Sequence, residues 1–191
     1  GRRPSPSELF HHGYLPRTLA ARFGSWFGFI SEQDDLSTDE RLVFESFASW
    51  LAMLEGTNLN KSYKMVVLRV LLDRDALWDG MEIEKLSAAC REFLLSHPTL
   101  RHDLPPTQQF PDPAKAPLQA WAAWWLEWPL SRWMDEQAGR QWFKREGDRF
   151  LAAFPCAENL RPDFEAMTAE VVDYRLAHYA KTRIEKAAEL T

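Results

Sequence analysis

Apolar residues recur at helical spacing through most of the 191-residue chain, and the period shortens to two in only one stretch. Phe23, Trp26, Phe27 and Ile30 form one stripe and predict a helix over 16–30, weakened by about 1 kcal/mol for each of Gly24 and Gly28. Ser37 with Glu40 fits a capping box ahead of Val43, Phe47, Trp50, Leu51 and Leu54, and Gly56 supplies the stop. A third helix opens at Asn60-Lys61-Ser62-Tyr63-Lys64 and carries Met65, Val67, Leu68, Leu71 and Leu72. Residues 73–80 then read as a turn. Ile83, Leu86, Ala89, Phe93 and Leu94 predict a fourth helix over 82–96, ending before Pro98.

Residues 104–117 contain five prolines and read as an extended connector. Beyond it, Trp121, Trp124, Trp125 and Trp128 repeat at i, i+3, i+4, i+7; Pro129 ends or kinks that helix, and 130–136 continues as a shorter one. Over 141–154 the pattern switches to two short strands around Gly147. A long helix is expected over 161–190, with Phe164, Met167, Val171, Tyr174, Leu176 and Tyr179 inward. The opening Arg-Pro-Ser-Pro-Ser is expected to be mobile. The expected fold is mainly α with one short β-hairpin, a helical domain with the order of an elaborated winged helix. Its parts are an N-terminal helical part (1–103), the connector (104–117) and a C-terminal part (118–191), joined in one compact domain.

The chain holds 9 Trp and 12 Phe, so aromatic rings are expected to supply much of the core. A net charge of −5 excludes a wholly basic nucleic-acid binder, yet the charge is segregated. Residues 1–30 carry four arginines against Glu8, a balance of +3, and residues 31–60 carry seven acids against Arg41, a balance of −6. Cys90 and Cys156 are too few for a disulfide framework, and a reduced, cytoplasmic setting is expected. No apolar run reaches the length of a membrane span, and no signal-peptide pattern is present. The first residue is Gly1, which points to a domain excised from a longer protein.

Catalytic spacings are missing from the sequence. No Gly-Lys dipeptide occurs, so a P-loop is absent, and no lysine follows an acid by two residues as in a common nuclease core. His11, His12, His97, His102 and His178 show no HExxH spacing, and neither a metal nor a cofactor is expected. Binding signals are stronger. Lys61 and Lys64 stand in the first helical turn, where a cation costs about 0.3–1 kcal/mol unless an anion such as phosphate sits there too. The bland alternative is that both are solvated and packing of the helix offsets that cost. Lys144, Arg145 and Arg149 make the hairpin basic, as a wing beside a nucleic-acid backbone would be, although Glu146 and Asp148 could equally balance an ordinary hairpin. The contact set read from the sequence is Lys61, Ser62, Tyr63, Lys64, Arg69, Trp142, Lys144, Arg145 and Arg149, with Arg17 and Arg22 extending the basic face. Tyr63 or Trp142 would stack on a base or sugar. The competing reading is a protein-docking domain using the acidic 31–45 segment and an exposed part of the tryptophan stripe.

Several blocks together carry a resemblance. Tyr14-Leu15-Pro16-Arg17, Phe23-Gly24-Ser25-Trp26-Phe27-Gly28-Phe29, Asn60-Lys61-Ser62-Tyr63-Lys64-Met65, His97-Pro98-Thr99-Leu100-Arg101-His102-Asp103-Leu104, Phe143-Lys144-Arg145-Glu146-Gly147-Asp148-Arg149-Phe150 and Val171-Val172-Asp173-Tyr174-Arg175-Leu176 resemble a C-terminal region of bacterial DEAD/DEAH-box helicases. Such helicases are often linked to restriction, phage defence or DNA repair. The Lys-Ser-Tyr-Lys block also resembles helical modules beside HNH nucleases of restriction systems. The resemblance spans roughly residues 14–180 and implies a non-catalytic accessory domain for DNA binding or substrate specificity. Its partners would be DNA and the helicase motor of the same parent chain.

Overall fold

The computed structural model describes residues 2–104, 106–137 and 139–189, with side chains described through residue 185. It is mainly helical with a small three-stranded antiparallel sheet. The chain divides into two compact units, Gly1–Asn58 with Pro155–His178, and Leu59–Phe154 with Tyr179–Thr191. The Pro-rich 104–117 segment therefore falls inside the second unit. Among the described residues no helix is long and apolar enough to cross a membrane.

The first unit is all helical: α1 (Pro6–His11), α2 (Arg17–Phe23), α3 (Trp26–Glu32), α4 (Thr38–Gly56) and the first part of α9 (Arg161–Glu189). The opening segment is tied down where the sequence predicts mobility. Ser5 and Glu8 form a capping box on α1, and Arg3 bridges Glu40 at 2.7 Å and Glu170 at 3.0 Å. The single helix expected over 16–30 is two, because Gly24 turns the chain at φ +78° and Ser25 then caps α3, its Oγ accepting from the Gly28 N–H. A Cβ on Gly28 would lie 2.1 Å from the Phe23 carbonyl oxygen, so the close turn needs glycine there. Ser37 caps α4 as the spacing requires. Val43, Trp50, Leu51 and Leu54 of α4 and Phe164, Met167 and Val171 of α9 are buried in the core, where the Trp50 ring stacks on Phe164 and its indole donates to Thr168 Oγ1 at 3.0 Å.

Near the end of α4, Arg175 donates to the carbonyls of Glu55 and Thr57, oxygens that helix termination leaves without partners. The Glu55 carboxylate in turn accepts the Trp26 N–H at 2.9 Å, capping α3. Burial pushes its carboxyl up to about 7, against the opposing pull of the Trp26 hydrogen bond and the Arg175 charge.

The second unit is built around α5 (Tyr63–Asp73), whose Met65, Val66, Val67, Leu68 and Leu71 are all fully buried. A helix apolar on nearly every side sits in the middle of its unit. The chain then turns through Asp75 (φ +49°) and Gly80 (φ +73°) into β1 (Met81–Glu82). There α6 (Ile83–Ser96) follows directly. The proline segment packs inward: Phe110 contacts the Trp121 ring at 5.3 Å, and Arg91 holds the Ala116 carbonyl at 2.7 Å. Of the tryptophan stripe on α7 (Leu118–Trp125), Trp121 and Trp125 are buried, Trp124 is half-buried, and Trp128 lies beyond on a π-helical turn, Leu126–Leu130, that absorbs Pro129. After α8 (Ser131–Met134) comes the hairpin β2 (Phe143–Glu146) and β3 (Arg149–Ala152), turning at Gly147 with φ +61°. The sheet order is β1-β3-β2, with Glu82 opposite Arg149 on one side of β3 and Glu146 opposite the same Arg149 on the other.

Candidate nucleic-acid interface

The helix start that invites an anion already has one. Ser62 is wholly buried, and both its N–H and its Oγ donate to Asp103 Oδ2 at 2.7 Å. Asp103, only 1% exposed, belongs to a short 3-10 turn, Leu100–Asp103. Its other oxygen, Oδ1, accepts from the Tyr179 hydroxyl and from Arg183 Nη2, each at 2.7 Å, with Lys61 Nζ at 3.9 Å. The Asp103 main-chain carbonyl accepts from Lys61 Nζ at 3.3 Å and from the Tyr63 hydroxyl. The carboxylate thus takes the place a phosphate would hold against the positive end of α5. A buried carboxylate is tolerated because both oxygens are fully hydrogen-bonded and two cations flank it.

The consequences for the Lys-Ser-Tyr-Lys block are specific. Lys61, Ser62 and Tyr63 converge inward on Asp103. The Tyr63 ring lies against Trp125 at 5.5 Å and Trp124 at 5.9 Å. Burial, reinforced by the Asp103 charge, raises the Tyr63 phenol pKa, and burial with the Asp103 hydrogen bond pushes Tyr179 up to about 12. Lys64 points elsewhere: its ammonium donates to Gln137 Oε1 at 3.0 Å and sits 5.3 Å from the Trp133 ring centre, with its pKa lowered by burial. Arg69 pairs with Asp73 one turn on, at 2.6 Å.

The hairpin distributes its cations over two faces. Strand register places Lys144, Glu146 and Arg149 on one face, and Arg145 on the other with Phe143 and Phe150. Lys144 bonds Glu146 at 2.8 Å, and the Arg145 Nε reaches back to the Gly147 carbonyl at 2.7 Å. Arg149 Nη2 donates to the carbonyls of Asp79 at 3.0 Å and Gly80 at 2.6 Å. All three residues remain solvent-facing, with Arg145 and Arg149 exposed and Lys144 half-exposed. Trp142, in contrast, is fully buried; its indole donates to the Gln137 carbonyl at 2.9 Å and its ring meets Phe154 edge-on. That ring cannot stack on a base while the unit is folded. Arg17 and Arg22 stand on α2 in the first unit, where Arg22 covers the Phe23 ring at 5.0 Å.

The α7 helix and its π-helical extension expose Leu118, Gln119, Ala123, Glu127 and Trp128, with no cation among them. Among the described residues no three His, Cys, Asp or Glu side chains converge as a metal site requires. Cys90 is buried, and burial alone raises its thiol pKa, the opposite of what activates a nucleophile. Sequence reasoning missed Asp103, Tyr179 and Arg183 as members of one cluster. The available signal is a negative one: Lys61 just ahead of the Ser62 N-cap and Lys64 in the first turn of α5 imply an anion, and that anion is a residue of the chain itself. Compared with known proteins, the chain matches no family model, no curated protein and no solved structure.

Proposed function

We propose that the second unit is a non-catalytic module that grips a nucleic-acid backbone through its hairpin. The observation that carries this reading is the succession α5, β1, α6, α7, α8, β2, β3 with sheet order β1-β3-β2, ending in a hairpin that presents Lys144, Arg145 and Arg149 to solvent. Helix, short strand, helices and a hairpin, with the first strand paired to the last, follows the order of a winged helix, to which α8 is an addition. Charge agrees with it. The second unit carries 16 Lys and Arg against 15 Asp and Glu, a balance of +1, while the first carries 7 against 13, a balance of −6. In this reading the hairpin holds phosphate, and Lys61, Ser62 and Tyr63 hold the unit together. The helicase-like blocks supply the setting, an accessory domain beside a motor of the same parent chain.

The test is fluorescence anisotropy of the folded chain with single- and double-stranded oligonucleotides across a salt series. Binding is expected to weaken linearly in log salt, with a slope of about −2 to −3 for two or three phosphates. Lys144→Ala with Arg145→Ala should lower affinity for all sequences alike and shallow that slope by about 2. Absence of binding at low salt to either form overturns the proposal.

A second reading has its own support. The cation-free surface of α7 and its extension leaves Leu118 43% and Trp128 51% exposed, the profile of a protein-contact surface more than a phosphate-contact one. Under that reading Trp128→Ser abolishes association with the motor segment of the parent chain while oligonucleotide binding is unchanged.

A further inference from the structure

One side of α6, with Arg74 and Met81 beside it, borders an open groove of about 790 Å³. Its floor is aliphatic, made by Met81, Ala88, Ala89 and Leu95, and its rim holds Arg74, Lys85 and Arg91 against the single carboxylate of Glu92. Three lining cations meet one lining acid, with Glu82 beside them on Lys85, and that leaves a local positive excess in a chain whose net charge is −5. The three are differently disposed, and each suits an incoming anion. Arg74 has no side-chain hydrogen bond or ion pair among the described residues and lies exposed. Lys85 makes an exposed pair with Glu82 at 2.8 Å, which a competing carboxylate can replace at little cost. Arg91 is anchored by the Ala116 carbonyl at 2.7 Å and rests over the Trp121 ring, so its charge is fixed in position on the rim.

We infer that this groove binds an acidic amphipathic peptide segment, its apolar side chains on the Met81–Leu95 floor and its carboxylates against Arg74, Lys85 and Arg91. The floor decides between occupants. It has no aromatic ring on which a base could stack, which disfavours a nucleic-acid strand. The groove is too open to enclose most of a small molecule's surface, which disfavours a metabolite. Two alanines on α6 let another helix approach closely, and the flexible Met81 thioether side chain adapts to what it meets. The groove uses none of Lys144, Arg145 and Arg149 and stands whether or not the hairpin binds DNA.

The probe is a synthetic helix-forming peptide of about 14 residues, four turns long, with leucines and glutamates at helical spacing. It is titrated into the isotope-labelled full chain, with two comparison ligands: the same peptide with lysine for glutamate, and an oligothymidylate. The acidic peptide should shift the amide resonances of Ala88, Ala89 and Leu95. Arg74→Glu with Lys85→Glu, both solvent-facing and so harmless to folding, should weaken it at least about tenfold by charge reversal. Ala88→Arg, which fills the floor without removing a cation, should weaken it as well. The inference is overturned if the acidic peptide leaves those amides unmoved, if the lysine peptide binds equally well, or if the oligothymidylate shifts the same amides with the same sensitivity to charge reversal.

Discussion

Asp103 shows how one residue can decide what its neighbours are for. Its carboxylate is the shared acceptor of Ser62, Tyr179 and Arg183, so its removal leaves the buried Ser62 N–H and hydroxyl and the Tyr179 hydroxyl without their acceptor and frees the part-exposed Arg183 guanidinium. Asp103→Ala should cost on the order of 3–5 kcal/mol, about 1–3 kcal/mol for each buried donor left unpaired, read as a lower midpoint of urea unfolding. Lys61→Ala should cost under about 1 kcal/mol, because that ammonium is partly exposed and 3.9 Å from the carboxylate. A near-equal loss in the two variants would show that the buried hub is not what Asp103 supplies. None of this was legible from the local pattern, since Ser62 and Asp103 lie 41 residues apart and no spacing rule connects them. What was legible was the unmet electrostatic demand at Lys61 and Lys64. Glu55 gives a second residue-scale expectation. Its folded pKa, about 7, lies above the ordinary 4.5, so the native state holds a proton that the unfolded chain releases first. Stability from this group is therefore full below pH 4.5 and lost as pH rises through 7, with an amplitude on the order of 3 kcal/mol. Glu55→Gln should flatten that slope in unfolding midpoints measured across the window; an unchanged slope would assign it to other groups.

Elements defined by their own sequence were readable, and elements defined by a partner were not. The Ser37 capping box, the apolar faces of α5 and α6 and the Gly147 hairpin carry their information locally, and each stands where its pattern puts it. Strand β1 is two residues long and exists only because β3 pairs with it, so no periodicity could announce it. The break between α2 and α3 was half visible. Gly24 and Gly28 were both marked as weak points of one helix, but only the geometry shows that Gly24 turns the chain and Gly28 clears the Phe23 carbonyl. Gly28→Ala should therefore destabilise the first unit by about 1–3 kcal/mol, where a helix-interior glycine would ordinarily be improved by alanine. That is a fall of several degrees in Tm, at about 2–4 °C per kcal/mol for a chain of this size. A rise in Tm would mean that the turn relaxes around the added methyl group.

For the molecule as a whole, prolines misled and charge informed. Five prolines over 104–117 resemble a linker, but Phe110 and the carbonyls held by Arg91 bind that segment into the second unit. The acidic excess, by contrast, follows the compact units: the first carries a balance of −6 and the second +1. Under the proposed function, an approaching nucleic acid meets net repulsion from the first unit's charge and none from the second's, so raising salt acts on two opposed terms. Charge-neutralising substitutions among Asp34, Asp35 and Asp39 should speed oligonucleotide association at low salt and leave dissociation nearly unchanged, as stopped-flow mixing would show. An effect on dissociation instead would place those acids in contact with the strand.

The hub at Asp103 also sets a timetable for synthesis. Its partner Arg183 is encoded 80 residues later and Tyr179 76 residues later. At about 5–20 residues per second, roughly 4–16 s separate the translation of the carboxylate from that of the guanidinium. At the start of that interval α5 and α6 are already made and the hairpin is still to come, and the Asp103 carboxylate has only Ser62 and Lys61 to hold it. The nascent second unit must keep Asp103 hydrated until residues 179–183 arrive, so its last closing step waits for α9 and does not fall at the moment α5, α6 and the hairpin are complete.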